Sequence, residues 1–213
     1  MGVNTEYLGH VEIVPALNKA EYDYLMAFAD SRRTVRPGGP YAVTPRDPDH
    51  GKSDAAVRRY NQICDGQPGY WCQWTPCPHG CCLTWDGVEK FYAGQAWLQY
   101  LIDHFLRSGA LAQRSGDRQF ADFTFDHQLN GVVVGEQQDL RELFILWVND
   151  CEISRSVLRP GDPDYGQPGY LGLDDRPWLP DKPRERWDND LQSWVPVTRL
   201  GRPSGGWPRK IRT

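Results

Sequence analysis

The sequence predicts an α+β fold: an antiparallel sheet with two helices on one face, close to a ferredoxin-like split βαβ arrangement with one added strand, followed by an extended irregular C-terminal arm. Three observations predict it. Short runs alternate apolar and polar residues in the manner of half-buried strands. Two stretches between them repeat apolar residues at helical spacing. Composition then changes near Ser154, dividing the 213 residues into a domain over 1–154 and an arm over 155–213.

The first strand is Gly9-His10-Val11-Glu12-Ile13-Val14, ended by Pro15. Asn18 and Glu21 then form a capping box, each side chain satisfying a backbone N–H at the helix start. The helix that follows carries Tyr22, Leu25, Met26, Phe28 and Ala29, with Arg32 and Arg33 expected in its last turn, where the dipole favours cations. Residues 36–69 are rich in Pro, Gly and Asp and read as one long loop. Tyr70–Thr75 and Cys82–Trp85 read as a hairpin turned by Pro76, Pro78 and Gly80. Trp97, Leu98, Leu101, Ile102, Phe105 and Leu106 form one broad helical stripe, with Gly109 suited to close it. Val132–Val134 and Leu143–Val148 read as a second hairpin turned at Gln137–Asp139. The expected core holds Leu25, Trp97, Leu101, Phe105, Val133 and Leu146.

The arm holds 9 of the 17 prolines and four of the nine tryptophans. Its aliphatic residues show no sustained period, so it cannot build a core of its own. Its last fifteen residues carry five basic groups and no acid. Aromatic rings spaced through such sequence need cover, and aromatics with arginine are what anchor interfaces. Trp178, Trp187, Trp194 and Trp207, with the basic tip Arg209, Lys210 and Arg212, are therefore the expected binding residues.

Formal net charge is −4. This excludes a bulk nucleic-acid binder, and phosphate contacts by the basic tip stand as a minority reading beside a protein partner. No apolar run approaches the roughly 18 residues of a membrane span, and no basic-plus-apolar leader opens the chain, which leads to the expectation of a cytoplasmic protein without membrane contact. Phosphate loop, nucleophile elbow and dinucleotide fingerprint are all missing; Gly51-Lys52-Ser53 only imitates the end of a phosphate loop. No cofactor is expected.

Two sets of side chains could carry chemistry. His10 and Glu12 share a strand face and could meet Asp126 and His127 in an acid–base site, or these histidines are structural. Cys64, Cys72, Cys77, Cys81 and Cys82 crowd around His79. A zinc site from Cys72, Cys77, His79 and Cys81, a disulfide across the Cys72–Cys82 hairpin, and simple packing of small buried thiols all fit that spacing. Neighbours on a strand point to opposite faces, so Cys81 and Cys82 are not expected to ligate together, and no metal is expected.

Trp71-Cys72-Gln73-Trp74, Trp85-Asp86-Gly87-Val88-Glu89-Lys90-Phe91-Tyr92 and Trp97–Leu106, with Gly9–Ile13 and Phe123–His127, resemble a family of small proteins of actinobacteria and their phages. The resemblance covers about the first 150 residues and excludes the arm. It implies a source and no activity. The expected function is a non-enzymatic protein–protein interaction protein, acting through the arm as a phage-encoded adaptor or inhibitor of a host protein or as a self-assembling virion component. It would sit in the host cytoplasm or the virion. The alternative is a small enzyme or zinc-stabilised module built from the two sets above.

Overall fold

The computed structural model describes residues 4–43 and 52–162, together with the backbone of Glu185–Asp188 and Ser193–Pro196. The fold is α+β. Six strands, β1 (Thr5–Val14), β2 (Trp74–Pro76), β3 (Cys82–Trp85), β4 (Gln128–Gln137), β5 (Glu142–Asn149) and β6 (Glu152–Arg159), form one antiparallel sheet in the order β2-β3-β1-β4-β5-β6. Three helices, α1 (Lys19–Ala29), α2 (Asp54–Tyr60) and α3 (Gly94–Leu101), complete the described part of this unit.

The capping box forms as expected: Asn18 Oδ1 accepts from the Glu21 backbone N–H at 3.0 Å, and Glu21 Oε2 accepts from the Asn18 N–H at 2.8 Å. α1 ends at Ala29, so Arg32 and Arg33 lie beyond its last turn rather than in it. α3 runs on into a π-helical turn, Ile102–Leu106, in which Arg107 N–H reaches Ile102 O. All six residues of the expected stripe are buried there. Gly94 opens α3 because nothing larger fits: a Cβ would stand 2.3 Å from the Tyr7 hydroxyl, and Trp74 Nε1 donates to its carbonyl at 2.7 Å.

Four elements differ from expectation. β1 begins at Thr5, since Leu8 faces outward and Gly9 interrupts the alternation. β2 keeps only three residues, because Tyr70 and Gln73 spend their carbonyls on the N–H groups of Arg33 and Asp86 instead of on a ladder. α2 occupies part of the expected loop, with Ser53 Oγ accepting from Ala56 N–H at 3.2 Å. β6 adds a strand whose polar, exposed residues hide it from a hydrophobicity reading. It also crosses the expected boundary at Ser154. The compact units are Met1–Tyr170 and Leu171–Thr213.

Within the second unit, expected to be irregular, β7 (Glu185–Asp188) and β8 (Ser193–Pro196) pair antiparallel, with position 187 opposite position 194.

The core lies on one face of the sheet. Val11, Ile13, Leu83, Val133 and Leu146 meet Leu25, Phe28, Trp97, Leu101 and Phe105 from the helices. Rings pack edge to face, as in Phe28–Trp97 at 5.9 Å and Phe28–Phe105 at 5.2 Å. Leu101 is 1% exposed in the middle of this contact. Replacing it by Ala removes buried methyl groups and leaves a void, so urea unfolding of Leu101→Ala should show a loss of about 2–5 kcal/mol.

Candidate functional site

The two chemical sets separate in the structure. His10 and Glu12 point out from β1, and Asp126 is exposed. His127 instead turns inward. Its Nδ1 lies 2.7 Å from Pro15 O, and its Nε2 lies 3.2 Å from Glu21 Oε1 and 3.3 Å from Thr124 Oγ1. The expected acid–base site is not brought together, because His127 belongs to a buried ion pair with Glu21, a residue the sequence offered only as a helix cap.

Glu21 is held by more than His127. Its Oε1 accepts from Thr124 N–H at 2.7 Å and from the Thr124 hydroxyl at 2.9 Å. Burial works against the carboxylate, but these donors, with His127 and Asn18, hold its pKa down to about 2. Burial likewise opposes the His127 cation, while Glu21 and the Pro15 carbonyl raise its pKa above the ordinary value. The Glu21 carboxylate is thus ionised at neutral pH, and its charge together with the Pro15 carbonyl favours the protonated form of His127.

The cysteines behave differently from one another. Cys64, Cys72 and Cys151 are buried as packing residues. Burial pushes the Cys72 thiol up to about 12. Cys77, Cys81 and Cys82 converge at the β2–β3 turn, their sulfurs all within 4.8 Å of one another and those of Cys77 and Cys81 at 3.5 Å. The expected set therefore changes membership: Cys82 joins, Cys72 stays in the core, and the His79 ring lies outside the convergent atoms. Opposite-face alternation does not separate Cys81 from Cys82, because β3 starts only at Cys82 and Gly80, at φ +67°, swings the chain just before it.

The turn is bolted to its neighbours. Cys77 N–H donates to Cys82 O at 2.9 Å, and Gly80 N–H to Cys77 O at 2.8 Å. Ile13 N–H and Leu17 N–H reach across to Cys81 O and Gly80 O at 2.8 and 2.9 Å. Partial burial opposes the Cys77 thiolate, but the thiols of Cys82 and Cys81 and the backbone N–H groups of His79 and Cys81 hold its pKa down to about 6. Burial and the neighbouring Cys77 sulfur push Cys82 up to about 12, and hydrogen bonding to Cys77 raises Cys81. The three sulfurs thus divide their roles: the surroundings favour the thiolate at Cys77 and the thiol at Cys81 and Cys82.

The outer face of the sheet is a second feature. Paired positions run straight across it: Leu8–Val134–Ile145 in one row and His10–Val132–Trp147 in the next. Leu8 is 78% exposed, Trp147 46% and Val132 41%. Monomeric proteins seldom leave aligned apolar side chains open on a sheet face without a use for them.

Trp187 and Trp194 occupy paired positions in the β7–β8 hairpin. Trp178, Trp207, Arg209, Lys210 and Arg212 lie outside the described residues. No helix among the described residues is long and apolar enough to cross a membrane. No protein-family model, no curated protein and no solved structure matches the chain.

The Glu21–His127 pair makes stability depend on pH in two directions. Glu21's pKa falls on folding, so its contribution is complete above its ordinary value of 4.5 and is lost as pH drops toward 2. His127's pKa rises on folding, so its contribution is complete below 6.5 and is lost as pH climbs through the raised value. Urea unfolding should therefore show this pair's contribution greatest between those two ordinary values and smaller on either side. Glu21→Gln should cost about 3–5 kcal/mol within that window and remove the acid-side slope, because it strands His127 in the interior.

Proposed function

We propose that the chain is a non-enzymatic protein–protein interaction protein. The observation that carries this reading is the open apolar sheet face of Leu8, Val132 and Trp147. The only acid–base pair among the described residues that is buried and fully hydrogen-bonded, Glu21 with His127, faces the interior, where it can hold the fold but meets no substrate. The partner is a protein that offers an apolar surface to this face. Self-assembly is the alternative outcome. The strand order β2-β3-β1-β4, with α1 and α3 as the crossovers, supports a ferredoxin-like split βαβ core extended by β5 and β6.

The arm is the second contact element of this reading, through Trp178, Trp187, Trp194 and Trp207 and the basic Arg209, Lys210 and Arg212. The family resemblance gives the setting: a phage-encoded adaptor or inhibitor of a host protein, or a virion component, acting in the host cytoplasm or the particle. Neither a membrane nor a nucleic acid is part of the proposal.

Two measurements test it. In the first, a stoichiometric complex is captured from an actinobacterial lysate or formed by self-association in sedimentation, and the double variant Leu8→Lys/Trp147→Lys is compared with the parent. Binding should weaken by about 2 kcal/mol or more, as for a central aromatic anchor. The melting curve should shift little, since both positions are exposed. Unchanged binding by the variant sinks the sheet-face reading. In the second, the chain is cut after Asp162, which keeps β6 and the Asp162 N–H bond to Leu140 O intact. The shortened protein should keep its stability and lose affinity, with salt weakening the binding of the full chain more than that of the shortened one. Equal affinity of the two lengths removes the arm from the interface.

A further inference from the structure

The three thiols of the β2–β3 turn go beyond the interaction reading and stand on separate observations. Four sulfur or nitrogen donors at about 2.0–2.3 Å from zinc, disposed tetrahedrally, place neighbouring sulfurs about 3.8 Å apart. The sulfurs of Cys77, Cys81 and Cys82 begin at 3.5 Å and all fall within 4.8 Å, so one ion can reach all three with small side-chain rotations. The backbone that carries them is already fixed. The turn closes on itself through Cys77 and Gly80, and β1 and the following loop hold it through Ile13 and Leu17. A Cβ at Gly80 would meet Leu17 O at 3.0 Å in addition to the strain of its positive φ, so glycine is what lets the turn lie this close to the loop after β1.

His79 lies in the same turn, exposed, between Pro78 and Gly80. Its imidazole is the nitrogen donor that the turn itself supplies. Hard cations prefer oxygen donors, whereas three thiols and an imidazole suit a d10 thiophilic ion. We propose that Cys77, Cys81 and Cys82, with His79 closing the fourth position, bind one zinc ion at the tip of the β2–β3 hairpin. Binding releases the thiol protons to solvent and changes no oxidation state.

The experiment uses the full chain, purified under reductant. It is titrated with zinc against a chromophoric chelator and, separately, with cobalt(II) as the spectroscopic probe. One equivalent should bind, and cobalt should give a sulfur-to-metal charge-transfer band with intense tetrahedral bands in the visible. Cys77→Ser, Cys81→Ser and Cys82→Ser should each weaken zinc by more than the roughly 100-fold that outer-shell changes reach. Cys64→Ser and Cys72→Ser should retain the cobalt spectrum, and circular dichroism of every variant separates lost binding from lost fold. His79→Ala should weaken binding and alter the visible bands. Less than one equivalent bound by the reduced chain overturns the site, as does an octahedral cobalt spectrum or a Cys77–Cys81 disulfide that survives the reductant. A cobalt spectrum and zinc affinity unchanged in His79→Ala overturn the fourth ligand.

Discussion

The carboxylate of Glu21 is the point on which the arrangement of the domain depends. One oxygen accepts from the backbone at Asn18 and so starts α1. The other accepts from Thr124 twice and from His127. His127 in turn donates to Pro15, at the end of β1. A single buried anion thus joins the end of β1, the start of α1, the loop before β4 and the entry to β4 itself. Removing an ion from water costs several kcal/mol, and only a complete set of donors offsets that cost. The set is complete here, and it cannot be completed unless all four segments are in place. The pairing of Val14 with Gln128, and the packing of Phe120 and Phe123 on Tyr24, follow from that closure.

A second buried charge sits on the far side of the same helix. Arg33 is 1% exposed and lies over the Phe28 ring, 4.0 Å from its centroid. Its guanidinium donates to Ser31 Oγ, Pro40 O, Ala42 O and Gln67 Oε1, all neutral oxygens. Burial pulls its pKa down to about 10, which still leaves it charged at neutral pH. The planar fork of five donors gathers segments that lack the apolar period to pack by themselves. α1 therefore carries a buried anion at its N-terminal end and a buried cation just beyond its C-terminal end, the signs its dipole favours. Within the described part of the Pro/Gly-rich stretch, Arg33 thus ties Pro40, Ala42 and Gln67 together.

Local signals carried the reading of the sequence as far as local physics reaches. The capping box at Asn18 and Glu21 and the stripe from Trp97 to Leu106 depend on residues within a few turns of each other, and both stand in the structure. α2 was equally legible in principle: Ser53 before Asp54, and Arg58 and Arg59 at the far end, are ordinary start and stop signals. They lie inside a stretch whose Pro, Gly and Asp content reads as loop. β6 was not legible from apolar pattern, since an edge strand protected by arginine and serine has no hydrophobic alternation to show. Nothing local marks His127 as the partner of Glu21, 106 positions away in the chain. That contact is a product of topology.

The sheet divides these roles between its faces. Cys82 stands opposite Glu12 in the β1–β3 ladder, while their neighbours Leu83 and Val11 pair on the buried side. Positions paired directly across antiparallel strands share a face. Cys82 is therefore on the outer face, the one that carries Leu8, Val132 and Trp147, and the thiol turn stands at the border of that surface. β2 and β3 hold each other by only three paired positions, too few to make a stiff edge without further support. An ion bridging Cys77 and Cys81 to Cys82 would tie the turn to the first residue of β3 and stiffen the border of the open face. It would do so without adding any apolar group to the core. The buried charges lie on the inner side of the sheet, and the thiol turn stands at the border of its outer face.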